Sequence, residues 1–523
     1  MPAIDLTTVR LLALSALLFC SHAPAAEPIS SAQIDALVER AMKTFDVPGI
    51  AVAVIKDDQL VHAKGYGVRS LKSGQRVDPH TLFGIASNSK AFTAAALAML
   101  VDEKKLKWTD KVTDYLPGFK MYNPYVTDEF TVLDLLTHRS GLGLGAGDLM
   151  MFPDGADFTR ADVIRNLRFL KPVSSFRAKY DYDNNLYIVA GEVVARVAGI
   201  GFEDFIEQRI MTPLGMRESA ASLRRLKDAR NVVVPHVAIE GRVQPVDAEI
   251  GEVANAAGGI YSNLSDMTLW VRMQLAAGKY GDGKHLFSEA AQHMMWTPQT
   301  IIPVGRGPTP YNTHFASYGL GWGLSDVKGY KQVAHTGGLI GMVTQVTLIP
   351  ELKLGIVVLT NQQVGQAFAS ISNTIKDAYF GMAPTDRVAE MSKQLGARTG
   401  EADQTVAAVW SAVAAAQAGA TAPELATYAG TYRDNWLGEV TLAVKDGSLR
   451  FSSKRSPKLS GVMSYYKGTT FVVKWGDRSL DADAFVNFSL GNDGKPRRMT
   501  MAAISPMTDF SFDFQDLDFE LVK

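Results

Sequence analysis

Two β-prone hairpins bracket a long helical and loop-rich stretch of this chain, and that spacing constrains the fold more than any other feature. Ile50 to Ile55 and Leu60 to Gly67 flank Lys56-Asp57-Asp58-Gln59, while Val343 to Ile349 and Leu354 to Thr360 flank Pro350-Glu351-Leu352-Lys353. Each pair reads as two short strands joined by turn-forming residues. Between them the pattern is mostly helical, including Thr131 to Thr137 and Tyr187 to Val197. Strands at both ends of a helical segment predict an α+β domain whose ends share one antiparallel sheet flanked by helices. Ahead of the first hairpin, Ile34, Leu37, Val38, Ala41, Met42 and Phe45 recur at helical spacing, with Ser30 or Ser31 as the cap.

At 523 residues, 47% hydrophobic and 20% charged, the chain has material for more than one domain. Its formal net charge of −1 supplies no basic face, so no nucleic-acid partner is expected. Arg10, the apolar run Leu11 to Phe19 and the small residues of Ala23-Pro24-Ala25 read as a signal peptide over residues 1–25. A periplasmic or secreted protein follows as the expectation. The apolar run is shorter than the ~20 residues of a membrane span, so the mature chain is expected to have none. Cys20, the only cysteine, falls within that leader. An exported chain without disulfides relies on its core, which this length permits.

Residues 26–380 then form the main domain. Residues 381–423 read as a linker, partly helical through the Ala-rich stretch Val406 to Ala420, with a last helix of the preceding domain as the competing reading. From Tyr428 onward, short Tyr, Phe, Val and Thr runs alternate with turns such as Lys445-Asp446-Gly447 and Gly491-Asn492-Asp493-Gly494. That pattern predicts a small all-β barrel or sandwich over 424–523.

The chemistry is carried by Ser87-Asn88-Ser89-Lys90, at the head of the run Ala91 to Leu100, which contains neither Gly nor Pro. A serine hydroxyl barely ionises at neutral pH, and a lysine one turn later serves as its base if burial keeps it neutral. Spacing i to i+3 puts both side chains on one helix face, and the positive end of the helix favours a developing oxyanion. The same tetrapeptide pattern recurs at Ser325 to Lys328 and Ser464 to Lys467, but in strand-like surroundings with no helix behind it.

Three further segments follow in order: Leu135-Leu136-Thr137-His138-Arg139-Ser140-Gly141-Leu142, Tyr182-Asp183-Asn184, and His335-Thr336-Gly337-Gly338. Together with the Ser-Lys pair they resemble the serine β-lactamase-related superfamily of class C β-lactamases, D-Ala-D-Ala carboxypeptidases, D-aminopeptidases and CubicO-type peptidases and esterases. The β-rich tail is similar to the lipocalin-like barrel of some of these peptidases. The resemblance implies a β-lactamase/transpeptidase-like fold with Ser87 as the acylated nucleophile and Lys90 as its base. It implies that Tyr182 shuttles a proton to the leaving group and that Asn184 fixes Lys90 and the substrate amide. The backbone N–H groups of Ser87 and Gly338 would form the oxyanion hole. Thr336 and Gly337 would contact substrate, with Gly337 keeping the strand edge open. His335 stands where many relatives have lysine, and is only partly charged near neutrality. The resemblance gives it a share in the proton relay, and makes recognition of a substrate carboxylate doubtful.

Other assignments compete at the same positions. Tyr261-Ser262-Asn263 also fits Tyr-x-Asn, but lies beside the Gly258-Gly259 turn. His138 reads as a structural, hydrogen-bonded histidine, and Asp183 as either a solvated loop acid or a neighbour that tunes Tyr182. Gly141 to Phe152 reads as a lid or as an ordinary surface loop. No Gly-x-Ser-x-Gly elbow, His-Glu-x-x-His helix, cysteine pair or phosphate loop is present, so neither a metal nor a cofactor is expected.

The residues therefore predict an exported serine hydrolase acting through an acyl-enzyme. Its expected substrates are small linear peptides, including those with D-residues such as cell-wall fragments or linearised non-ribosomal peptides. An esterase or weak β-lactamase on the same site is the alternative, and a slowly deacylating penicillin-binding or sensor protein is the alternative of another class. Substrate choice is expected to lie in the loops 143–175 and 295–318. For the barrel, three roles stay open: capping the site, building an oligomer, or binding cell-wall material.

Overall fold

The computed structural model describes residues 28–307, 309–418 and 423–522, and the expected signal peptide lies outside them. Strands β1 (Gly49–Lys56) and β2 (Gln59–Gly67) form the first hairpin, with Asp57 and Asp58 both at positive φ in its tight turn. Two left-handed residues match the right-handed twist of the strands they join, and aspartate tolerates that conformation. Strands β3 (Thr300–Ile302), β4 (Ala316–Tyr318), β5 (Gly323–Val327), β6 (Tyr330–Leu339), β7 (Met342–Ile349) and β8 (Leu354–Thr360) complete one antiparallel sheet. Its order is β2-β1-β8-β7-β6-β5-β4-β3. The two ends of the domain meet where β1 pairs with β8, Ile50 opposite Thr360 and Val54 opposite Ile356. The expected sheet is therefore present.

The central strands are buried on both faces, which explains their continuous apolar runs. Ile50, Val52 and Val54 share one core with helices α1 (Ser31–Phe45) and α5 (Gly365–Tyr379). Ala51, Ala53 and Ile55 belong to the core on the opposite face. There α4 (Leu264–Leu275) packs on β1 and β8, and Trp270 stacks on Phe92 of α2 (Ser89–Asp102) at 3.8 Å between ring centroids. Helix α2 is buried on nearly every side, so its alanines serve close packing rather than an amphipathic face. Helix α3 (Asn185–Ala198) packs beside it.

Helix α6 (Arg387–Ala418) packs on α5 and on a barrel strand, Ser460–Lys467. Beyond it, eight antiparallel strands from Gly430–Asp434 to Phe519–Leu521 close into a barrel through Tyr432 opposite Leu521. Alternation decides what faces inward: Val440 and Leu442 are buried, Thr441 and Ala443 exposed. Tyr428, Phe471 and Phe488 pack edge to face within it at 4.8–5.7 Å. An eight-stranded barrel has an interior that side chains of this size fill.

The barrel docks on the first domain through polar contacts. Arg455 pairs with Asp157 and Asp162 at 2.6 and 2.9 Å, Lys458 with Asp154 at 2.7 Å, and Asn166 donates to the Trp436 carbonyl at 2.8 Å. Leu149 and Met150 are fully buried, and Met151 and Phe152 line the cavity described below, so the segment 141–152 is not an ordinary surface loop. Among the described residues, no single helix is long and apolar enough to cross a membrane.

Candidate active site

Ser87 lies in a 3₁₀ turn, Ala86–Asn88, one step ahead of α2, rather than within the helix. Ala86 holds φ +50°, a left-handed conformation that costs a residue bearing a Cβ about 1 kcal/mol or more. The surroundings enforce it. The Ile85 N–H donates to the Ile260 carbonyl at 2.9 Å, and the hydroxyl of Thr344 on β7 donates to the Ile85 carbonyl at 2.9 Å. Asn88 Nδ2 reaches the same Thr344 hydroxyl, also at 2.9 Å.

Lys90 is fully buried, and its Nζ has three partners: Asn184 Oδ1 at 2.6 Å, the Ala257 carbonyl at 2.8 Å and Ser87 Oγ at 3.1 Å. Burial lowers its pKa from 10.5 to about 7, against the opposing pull of Asp148 and Asp183. A neutral amine has two hydrogens and one lone pair. The Ala257 carbonyl and the Asn184 amide oxygen only accept, so they take the two hydrogens and the lone pair faces the Ser87 hydroxyl. Tyr182 and Tyr187 hold their ring faces toward the same nitrogen, 4.9 and 5.2 Å from their centroids.

The Tyr182 hydroxyl is buried without a hydrogen-bond partner among the described residues. Burial pushes its pKa well above the ordinary value, with Ser87 opposing the rise, so the phenol keeps its proton at neutral pH. His138 and Asp183 arrange this segment. The Asp183 N–H donates to His138 Nδ1 at 3.0 Å, and the Asp181 N–H to the His138 carbonyl at 3.0 Å. Asp183 is fully buried, not solvated. Burial raises its carboxyl to about 7, against backbone N–H groups at the start of α3. Tyr261 pairs instead with Gly84 in a two-residue strand and does not line the cavity described below.

His335 differs from the sequence expectation of a relay group. Its Nδ1 lies 2.6 Å from the Thr336 carbonyl, which only accepts, so Nδ1 carries the hydrogen. Its Nε2 accepts from the Tyr318 hydroxyl at 2.8 Å. Burial, reinforced by Lys90, brings the pKa to about 3. His335 is thus a neutral ring with no lone pair left to offer Ser87.

The second half of β6 explains the two glycines. Strand β5 pairs with β6 only as far as Ala334, so residues 335–339 are open on that side. A Cβ on Gly338 would meet nothing, whereas one on Gly337 would lie 2.4 Å from the Ile85 carbonyl and 2.8 Å from Ala86 Cβ. Gly337 therefore lets the Ser87 turn pack against the strand, and the openness expected of it belongs to Gly338. Thr336 is exposed on the same edge.

These groups line a cavity of about 420 Å³ with Ser87, Tyr182, Asn184, His335, Thr336 and Gly338 in its wall. Much of the rest is apolar: Met151, Phe152, Ile250, Leu339, and Phe510 and Phe512 from the barrel. Among the described residues of the wall there is no lysine or arginine, and Asp509 is the single acid. Sequence reasoning left capping of the site open as a role of the barrel, but missed Ala257, Tyr318, Asp148 and which barrel residues reach the wall. The glycine-rich run Gly319 to Gly323 was a usable signal. Gly321 has φ +75°, and a Cβ there would meet the Lys90 carbonyl at 2.7 Å, so this run packs against the start of α2 just after Tyr318.

A family model described as Beta-lactamase matches residues 34–379, and one described as a domain of unknown function (DUF3471) matches residues 415–521. The chain is 30% identical over 372 residues to unguisins hydrolase ungD of Aspergillus violaceofuscus, which is 67% of this chain and 65% of the relative. It therefore spans just under two thirds of that protein's length. It is 26% identical to penicillin-binding protein 4 of Amycolatopsis lactamdurans, over 62% of this chain and 83% of that one. The solved structure of an octameric penicillin-binding protein homologue from Pyrococcus abyssi aligns with a TM-score of 0.60 at 21% identity, covering 94% of this chain and 100% of that one.

Proposed function

The chain belongs to the serine β-lactamase-related superfamily, and on that premise we propose that it hydrolyses esters or amides with an apolar, uncharged acyl group through an acyl-enzyme on Ser87. Lys90 accepts the Ser87 proton as the hydroxyl attacks the carbonyl. The N–H groups of Ser87 and Gly338 receive the oxyanion, and Tyr182 gives its proton to the leaving group. Water then attacks the acyl-enzyme, giving a proton to the Tyr182 oxygen, and Lys90 returns its proton to Ser87 Oγ as the acyl product leaves. Asn184 holds Lys90, Thr336 borders the substrate, and His335 closes the wall as a neutral ring.

The observation that carries the uncharged substrate is the wall itself: apolar side chains, a neutral His335 and, among the described residues, no cation to meet a carboxylate. That favours the esterase reading over a peptidase that grips a chain terminus, and over efficient hydrolysis of a β-lactam that carries a carboxylate. A second reading, hydrolysis of small linear peptides including those with D-residues, rests on the Ser87-Lys90 and Tyr182-Asn184 set with His335 in place of lysine. We read residues 26–380 as the catalytic domain, 424–523 as the barrel, and the leader as directing export to the periplasm or beyond.

Intact-protein mass spectrometry over time tests this, with a fluorophosphonate, a neutral p-nitrophenyl ester, a penicillin and short D- and L-peptides. The expected result is an adduct on Ser87, fastest turnover of the ester, and a loss of about 10³-fold or more in Ser87→Ala. A persistent penicillin adduct moves the assignment to a slowly deacylating penicillin-binding protein. Peptides outrunning the ester move it to a peptidase, and absence of any adduct overturns the proposal.

A further inference from the structure

Asp148 is fully buried beside the cavity, where an isolated carboxyl group is costly. Its Oδ2 accepts from Asn184 Nδ2 at 2.8 Å and from Ser511 Oγ of the barrel at 3.0 Å. The N–H groups on either side of it, Gly147 and Leu149, donate to the two oxygens of Asp513, also of the barrel, at 2.6 and 3.2 Å. A continuous chain of hydrogen bonds thus runs from Lys90 Nζ through Asn184 and Asp148 to the barrel.

That chain decides which way the Asn184 amide points. An oxygen that accepts obliges Asn184 to turn its NH₂ toward Asp148, which leaves Oδ1 facing Lys90. Turned over, Asn184 would press an N–H against the Lys90 nitrogen and take the lone pair that otherwise faces Ser87. We propose that Asp148 is a positioning residue that sets the Asn184 amide and through it the Lys90 lone pair, and that the barrel holds Asp148 in place through Ser511 and Asp513. The inference rests on Ser87 as the acylated nucleophile and Lys90 as its base. It makes the barrel part of the site's proton geometry as well as part of its wall.

The test compares Asp148→Ala, Asp148→Asn, Ser511→Ala and the Asp148→Ala/Ser511→Ala double variant in the full chain. Pre-steady-state acylation by the p-nitrophenyl ester is expressed per folded molecule. Asp148→Ala should acylate about a hundredfold more slowly with KM unchanged, the scale of a misplaced catalytic group. Asp148→Asn, whose carbonyl oxygen still accepts from Asn184, should recover most of the rate. Ser511→Ala should fall in the same direction, and the double variant should be no slower than Asp148→Ala, because both act through one chain. Wild-type acylation rates in Asp148→Ala, a change in KM alone, or equal loss in Asp148→Asn and Asp148→Ala would each overturn the positioning role. Additive losses in the double variant would overturn the barrel's part in it. Failure of the underlying reading is distinguishable, since the wild-type chain would then form no Ser87 adduct.

Discussion

Acylation of Ser87 is expected to rise with pH along the neutral fraction of Lys90. With a pKa of about 7, that fraction is about a half at pH 7, about a tenth at pH 6 and about a hundredth at pH 5. At the ordinary value of 10.5, it would be about three in ten thousand at pH 7, so burial supplies a factor of about 10³ in available base. The same burial has a stability cost whose sign follows from proton counting. Between about 7 and 10.5 the unfolded chain holds the lysine proton and the folded chain does not, so stability rises with pH across that window, by about 5 kcal/mol in all. Stopped-flow acylation by the p-nitrophenyl ester from pH 5 to 9.5 reads the first effect. Chemical denaturation of wild type against Lys90→Met over pH 7 to 10 reads the second, as a difference in slope. His335→Gln is the control, because a ring already neutral above about 3 adds no limb in this range. A limb near pH 10 would refute the burial argument. A limb near 6 that disappears in His335→Gln would transfer the base to the histidine.

Two further outcomes follow from the packing. Gly337→Ala drives a methyl into the Ile85 carbonyl and should cut acylation by about a hundredfold through the Ser87 turn. Gly338→Ala, whose methyl meets open space, should retain its N–H and change chiefly KM; equal losses in steady-state kinetics would contradict the assignment of the two glycines. Tyr318→Phe leaves His335 Nε2 without its donor and should lower unfolding free energy in denaturant titrations by about 1–3 kcal/mol. An unchanged midpoint would mean that the tyrosine-histidine bond does not hold this wall.

Elements governed by short-range rules were legible in the chain itself. The first hairpin is visible because aspartates fill a turn that needs positive φ, and α2 because nothing in Ala91 to Leu100 interrupts a helix. Alternating burial and regular turns exposed the barrel. In the site, Ser87 with Lys90 and Tyr182 with Asn184 were legible because each pair lies within one turn or loop of chain. The Ala257 carbonyl was not, since a backbone acceptor leaves no mark on residue identity. Asp148 and Ser511 were not, because 363 residues separate them and only the docked barrel brings them together. The surface-loop reading of 141–152 failed for the same reason: Asp513, which holds Gly147 and Leu149, lies at the far end of the chain.

The sequence by itself determined the element types, the sheet joining both ends of the first domain, the barrel, and the residue types of a serine-lysine site. Tertiary structure alone decided how those residues are charged and aimed. Lys90 is partly neutral at pH 7 because it is sealed from water, His335 is neutral because it is buried beside Lys90, and Gly337 rather than Gly338 carries the close packing. Protonation and orientation depend on dielectric and on partners distant in the chain, and local sequence encodes neither.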